Sequence, residues 1–187
     1  MFSIRRPSPK LIEQFIEQSK DLALSYDPVE ISKENPSGFV ADEASAVIGS
    51  GGDAFARAKM ALTDWKQFDL GWVELFPRRA SIEPGTNVAV LVHHVGLWSL
   101  NGCRVVYAID DSESTRFGFA YGTLTNHAEC GEEIFEVLLN EREEVIYRIR
   151  AVSKPRAAPA RIAYPLTRLL QNRFRRDSIR AMMKSLQ

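Results

Sequence analysis

From Asn87 to Val152 the chain is a succession of strand-like runs separated by short turns, first a long, mostly apolar run and then runs of two-residue periodicity, and this succession limits the fold more than any other feature. Side chains alternate across a strand, so such runs read as strands with one buried face. The predicted strands are Asn87 to Val95, Arg104 to Ile109, Phe117 to Thr123, Glu133 to Leu139 and Glu144 to Val152. Consecutive strands with short loops pair antiparallel, and the helices then gather on one side. Two earlier strands are expected, Phe39 to Ile48 and Trp72 to Phe76.

A helix is expected from Ala160 to Leu186, beginning or kinking at Pro165. Leu166, Leu170, Phe174 and Met182 give it an apolar stripe. At about 1.5 Å per residue such a helix crosses the width of a sheet. The expected fold class is therefore α+β, a curved antiparallel sheet wrapped around a long C-terminal helix, with a cavity between them. Ser8 and Pro9 open an N-terminal helix that Tyr26-Asp27-Pro28 should end. Asp53 would cap a helix over Ala54 to Trp65. The preceding Gly49-Ser-Gly-Gly52 lacks the G-K-[ST] of a phosphate loop and reads as a strand-to-helix turn. The segment Gly96 to Gly102 should bend the chain, with Trp98 and Leu100 as apolar lid residues.

Phe117 to Glu133 carries the candidate site. Phe117, Phe119, Tyr121 and Thr123 share one strand face; Gly118, Ala120 and Gly122 share the other. A face of Gly, Ala and Gly admits a close approach, by the C-terminal helix or by a ligand. The following turn, Thr125 to Gly131, gathers His127, Glu129 and Cys130, with Glu133 at the rim and Glu132 and Glu136 pointing outward. An apolar wall of Phe119, Tyr121, Thr123, Phe135 and Tyr147 would bind the ligand. His127, Glu129 and Glu133 are the candidate acid–base groups, because a histidine beside carboxylates can transfer protons near neutral pH. A well-packed hairpin with a charged tip, and a turn histidine bonded to backbone, explain the same residues without function.

The 187 residues suffice for one domain over 1–187, with residues 1–38 as a helical extension. Net charge is zero, so no polyanionic partner such as nucleic acid is expected, although the tail is basic. Arg161, Arg168 and Arg175 recur every seven residues and are expected to be solvated. Binding through that basic helix stays open as a separate reading. Two cysteines and three histidines show no metal or disulfide spacing, so no metal and no cofactor is expected. His93 and His94 are adjacent on a strand and face opposite sides. No apolar run reaches membrane-spanning length, and the expected location is cytoplasmic.

Several segments together resemble the DUF1990 family, also called UPF0548. They are Gly49-Ser-Gly-Gly-Asp-Ala-Phe-Ala-Arg-Ala58 with Trp65 and Gly71-Trp72, Cys103-Arg-Val-Val-Tyr107, and Arg116-Phe-Gly-Phe-Ala-Tyr-Gly-Thr-Leu124. His127-Ala-Glu129 with Gly131-Glu-Glu133, Tyr164-Pro-Leu-Thr167, and Phe174 with Asp177-Ser178 complete them. The resemblance runs from about Phe39 to the C-terminus and implies no established activity. It implies a START-like, helix-grip (SRPBCC) shape, and with it a cavity for an apolar small molecule or lipid, or an enzyme acting on such a ligand.

Overall fold

The computed structural model describes residues 1–34, 36–110, 115–155 and 164–187. In chain order they form β1 (Phe2–Ser3), α1 (Pro9–Gln18), β2 (Val40–Ser50), α2 (Gly51–Thr63) and β3 (Val73–Phe76). There follow β4 (Asn87–His94), β5 (Leu97–Asp110), β6 (Arg116–Thr123), β7 (Glu129–Leu139), β8 (Glu144–Pro155) and α3 (Tyr164–Ser185). The sheet order is β2-β8-β7-β6-β5-β4-β3, with β1 beside the start of β5. Every pairing is antiparallel. The sheet curls around α3, as the strand run and the helical stripe predict.

The concave face holds the main core. Phe119, Tyr121, Phe135, Val137, Tyr147 and Ile149 meet Phe55, Leu62, Trp65 and Phe68 from α2 and the 3-10 turn Lys66–Phe68. From α3, Met182 is wholly buried and the Ser178 hydroxyl lies 2.9 Å from the Tyr147 hydroxyl. Aromatic edges interlock here: Trp65 stands 4.5 Å from Phe119 and Phe68 stands 5.5 Å from Phe135, centroid to centroid.

The convex face is also covered. α1 lays Ile12 on Ala89, Leu91 and Leu100. Residues 24–34 cross β6, β7 and β8, seating Tyr26 and Ile31 beside Cys130 and Val152. Here the Gly-Ala-Gly face of β6 finds its partner. A Cβ on Gly122 would stand 2.1 Å from the Tyr26 hydroxyl oxygen, so the glycine exists to admit that ring. On Gly118 a Cβ would strike the Phe135 carbonyl and the Glu136 Cβ. Among the described residues α3 packs on the opposite, concave face, and Tyr26 and the β7 backbone, not α3 or a ligand, make the close approach here.

Glu132 and Glu136 do point away from the concave core, yet both are buried. Glu132 accepts from the Tyr26 hydroxyl at 2.6 Å, from the Glu30 amide at 3.0 Å, from the Ser32 amide at 3.1 Å and from the Ser32 hydroxyl. Glu136 is clamped by Arg116 and Arg148, each at 2.6 Å. Pairing and hydrogen bonding offset the burial of a carboxylate.

Several local expectations change. Leu97 begins a continuous strand, and Leu100 is buried under α1, so Gly96 to Gly102 is no lid; the reversal occurs at Val95 and Gly96, both with positive φ. A bulge between Val105 and Tyr107 breaks the alternation of β5, turning Val105 to the concave core and Tyr107 to the convex face, where its hydroxyl lies 2.6 Å from that of Ser32. β7 begins at Glu129, ahead of the predicted Glu133. α1 ends at Gln18, well before Tyr26, although Ser8 caps it as expected by accepting from the Leu11 amide. α2 starts at Gly51, which places Asp53 in its first turn. Pro165 falls in the first turn of α3. Leu166 is exposed despite its place in the apolar row. Asp110-Asp-Ser-Glu-Ser114 reads in the sequence as a polar hairpin loop; its residues 111–114, and Arg161, lie outside the described residues.

Replacing Gly122 with Ala should destabilise the protein by about 1–3 kcal/mol, the cost of overpacking a rigid contact. A urea midpoint identical to that of the parent would show that Tyr26 is not seated on β6.

Candidate functional site

α2 and the 3-10 turn fill one end of the concave face and leave the other end open. There a cleft of about 230 Å³ lies between the sheet and the N-terminal half of α3. Its apolar surface comes from Phe68, Trp72, Val90, Val92, Leu170 and Phe174. Its polar surface comes from His94, Ser99 and Asn101 on one side and from Tyr121, Thr123, His127, Glu129, Glu133, Gln171 and Arg175 on the other.

The alternation of β7 brings Glu129 and Glu133 to the concave face, four residues apart on one strand. Glu133 accepts the Tyr121 hydroxyl at 2.8 Å. Burial pushes its carboxyl up to about 7; the Tyr121 bond and Arg175 pull the other way, and Glu129 and Asp42 push further up. Glu129 accepts the Gln171 side-chain amide at 2.8 Å. Its carboxyl is raised chiefly by burial, against the opposing Gln171 bond and the charge of Arg168.

His127 sits in the loop between β6 and β7. That loop is tied down by the Leu124 amide to Gly102, the Thr125 amide to Ala23, and the Asn126 side chain to Ser19. The His127 Nδ1 accepts the Glu129 amide at 2.9 Å, so a neutral ring carries its proton on Nε2. The backbone-bonded turn histidine and the cavity histidine are thus one residue. Across the cleft, His94 is held below its usual range by burial and by the neighbouring His93. Its buried Nδ1 has no partner among the described residues. His93 faces the other way and stacks on Trp98 at 4.3 Å, as adjacent strand positions require.

Of the expected ligand wall, Tyr121 and Thr123 border the cleft. Phe119, Phe135 and Tyr147 do not; each is fully buried in the packed core below it. They share the sheet face that borders the cleft, but α2 and the 3-10 turn occupy that end of it. The basic residues of α3 also depart from expectation. Arg168 clasps Asp42 through both carboxylate oxygens, and Arg175 is only 6% exposed. Neither is a solvated surface charge. Arg173, Arg176 and Arg180 do face solvent, grouped around Asp177.

The sequence assigns no site role to Gln171 and sets Arg175 among the solvated arginines, because both are polar. Their spacing held the signal: Gln171, Phe174, Arg175, Ser178 and Met182 recur at the three- and four-residue intervals of one helix face. No group of three or more histidine, cysteine or carboxylate side chains could hold a metal ion among the described residues. None of their helices is long and apolar enough to cross a membrane.

The profile of the family described as "Domain of unknown function (DUF1990)" matches residues 25–181. A UPF0548 protein of Dictyostelium discoideum is 32% identical, with 100% of this chain and 96% of that protein covered. The Zhui aromatase/cyclase from Streptomyces sp. R1128 superposes with a TM-score of 0.53 at 13% identity, over 79% of this chain and 93% of that one. Human STARD10 gives a TM-score of 0.51 at 9% identity, over 96% and 81%. At such identities the structural likeness speaks for the fold, which is START-like and helix-grip.

Glu133 supplies a pH test. Its carboxyl lies higher in the folded chain than the ordinary value of about 4.3, so folding favours the protonated form. That contribution is fully present below about pH 4 and is lost as pH rises through about 7. Glu133→Gln should therefore gain stability over the parent between pH 5 and pH 8, by an upper bound of roughly 3 kcal/mol. Urea unfolding at the two pH values reads the difference. A variant equally displaced at both would refute the assignment.

Proposed function

The chain belongs to the DUF1990 (UPF0548) family, and on that premise we propose that it binds a small apolar molecule with one polar end in the cleft between the sheet and the C-terminal helix. The observation that carries this is the division of the cleft, with an apolar floor of Phe68, Trp72, Val90, Val92, Leu170 and Phe174 facing a compact polar group. Small-molecule sites combine such a lining with a few convergent polar groups. The volume of about 230 Å³ is slightly below the usual range of about 300–1,000 Å³, which favours a compact ligand over a two-chain lipid. In this reading Tyr121 stands at the boundary between dry wall and polar mouth, offering a ring and a hydroxyl. His127, Glu129 and Glu133 meet the ligand's polar end.

One observation favours acid–base catalysis on the bound ligand as a second reading. Glu133 titrates near neutrality while bonded to Tyr121, and a general acid or base works best near the ambient pH.

Native mass spectrometry of protein purified from expressing cells should show a bound small molecule. Val92→Trp, which fills the cleft, should lose that species while keeping a cooperative thermal transition. His127→Ala should leave folding intact and weaken binding about 2- to 12-fold, the worth of one hydrogen bond. Protein that carries no adduct and takes up no apolar probe would sink the proposal.

A further inference from the structure

The ligand's polar end can be specified further, an inference that rests on the cleft being a binding site. We propose that the ligand is a compact monocarboxylic acid whose carboxylate is clasped by Arg175 on the side of the cleft that also carries Glu133.

Arg175 carries the argument. Its side chain is more than nine-tenths buried and borders the cleft. A guanidinium has five N–H donors and keeps its charge at any pH the fold survives. Among the described residues, Arg175 donates one hydrogen bond, from Nη2 to Asn172 at 2.5 Å, and its ion pair with Asp42 is 3.5 Å long. Asp42 is engaged elsewhere, because Arg168 takes both of its oxygens, Oδ1 at 2.6 Å. The first cause holding the Asp42 carboxyl below the usual range is that Arg168 bond. A buried cation with so little pairing among the described residues is costly, and the cleft that its side chain borders has room for a further partner. The planar fork of a guanidinium matches a carboxylate through two parallel hydrogen bonds.

The cleft also contains carboxylates, which invites the opposite reading of a cationic ligand. The two kinds of group are not equivalent. A buried carboxyl becomes neutral by taking up a proton, whereas the guanidinium cannot lose one. The permanent charge to be met is therefore that of Arg175. Several groups surround Glu133. Tyr121 comes from β6, Cys103 from β5, Tyr147 from β8, Glu129 from β7, Asp42 from β2 and Arg175 from α3. Burial raises the Cys103 thiol and the Tyr121 and Tyr147 hydroxyls, which stay neutral. His94 and His127 border the same cleft. A second carboxylate arriving near Glu133 favours its protonated form, because two close carboxylates share a proton more readily than they both ionise. A dianion such as a phosphate monoester would face Glu129 and Asp42 as well, so a single negative charge fits best.

Calorimetric titration with octanoate, octanamide and octylamine, repeated with 2-naphthoate and 2-naphthamide, tests the proposal on the intact protein. At pH 6 each carboxylate should bind at least tenfold more tightly than its amide, with the amine weakest. Carboxylate affinity should fall about tenfold from pH 6 to pH 8 as Glu133 ionises. Glu133→Gln should keep carboxylate binding and lose most of that pH dependence. Arg175→Gln should erase the preference of carboxylate over amide; Arg175→Lys, which retains the charge without the fork, should keep part of it. Circular dichroism establishes that each variant is folded. Equal binding of acid and amide, or tightest binding of the amine, overturns the carboxylate assignment and leaves the cleft a binding site. Failure of all these compounds, with a neutral apolar probe still bound, also overturns the assignment. Failure of every apolar probe overturns the binding site itself.

Discussion

Glu132 and Glu133 are consecutive on β7, so the pleat sends their carboxylates to opposite faces of the sheet, and the molecule is arranged around the difference. Glu132 is met on the convex side by donors from Tyr26, Glu30 and Ser32. Those bonds pin residues 24–34 across the sheet, and Gly122 leaves room for the Tyr26 ring. Glu133 enters the concave side with the Tyr121 hydroxyl as its donor. One carboxylate is fully provided for by the protein and organises structure. The other is partly buried with fewer partners, and perturbed groups of that kind cluster at functional sites.

The cleft exists because α3 is anchored unevenly. Its C-terminal half meets the sheet through Met182 and Ser178 against a dense aromatic core. Its N-terminal half presents Gln171, Arg168 and Arg175, whose long polar side chains reach Glu129 and Asp42. Polar bridges of this sort hold helix and sheet in register without filling the space between them. Dry packing at one end and bridged packing at the other leave a cavity bounded by aliphatic strand residues on one wall and by charge on the opposite wall.

Position along a strand also explains why residues of one face part company, some in the packed core and some at the cleft. Phe119 and Tyr121 share the concave face, yet Phe119 is 4.5 Å from Trp65 in solid core, whereas Tyr121 borders the cleft. Two residues along a strand separate them, and only the position of α2 and the 3-10 turn decides which one a ligand could touch. The same holds for the arginines of α3. A seven-residue recurrence gives direction around a helix but does not say that Asp42, 126 residues from Arg168 in the chain, will stand opposite.

What the sequence by itself determined is local and periodic. The succession of strand runs over Asn87 to Val152 dictated an antiparallel sheet, the row through Leu170, Phe174 and Met182 dictated a helix against it, and Ser8 with Pro9 dictated where the first helix begins. These follow from backbone geometry and from the cost of exposing apolar surface, which act over a few residues. Tertiary structure alone decided what covered the convex face, where the bulge at Val105 reversed the alternation of β5, and which acids met which bases. Gly118, Ala120 and Gly122 announced a close approach but not what makes it, because at Gly122 the occupant, Tyr26, comes from a loop some 96 residues away with no periodicity of its own. Pairing between charges depends on three-dimensional distance and burial, and neither is written in the order of residues along the chain.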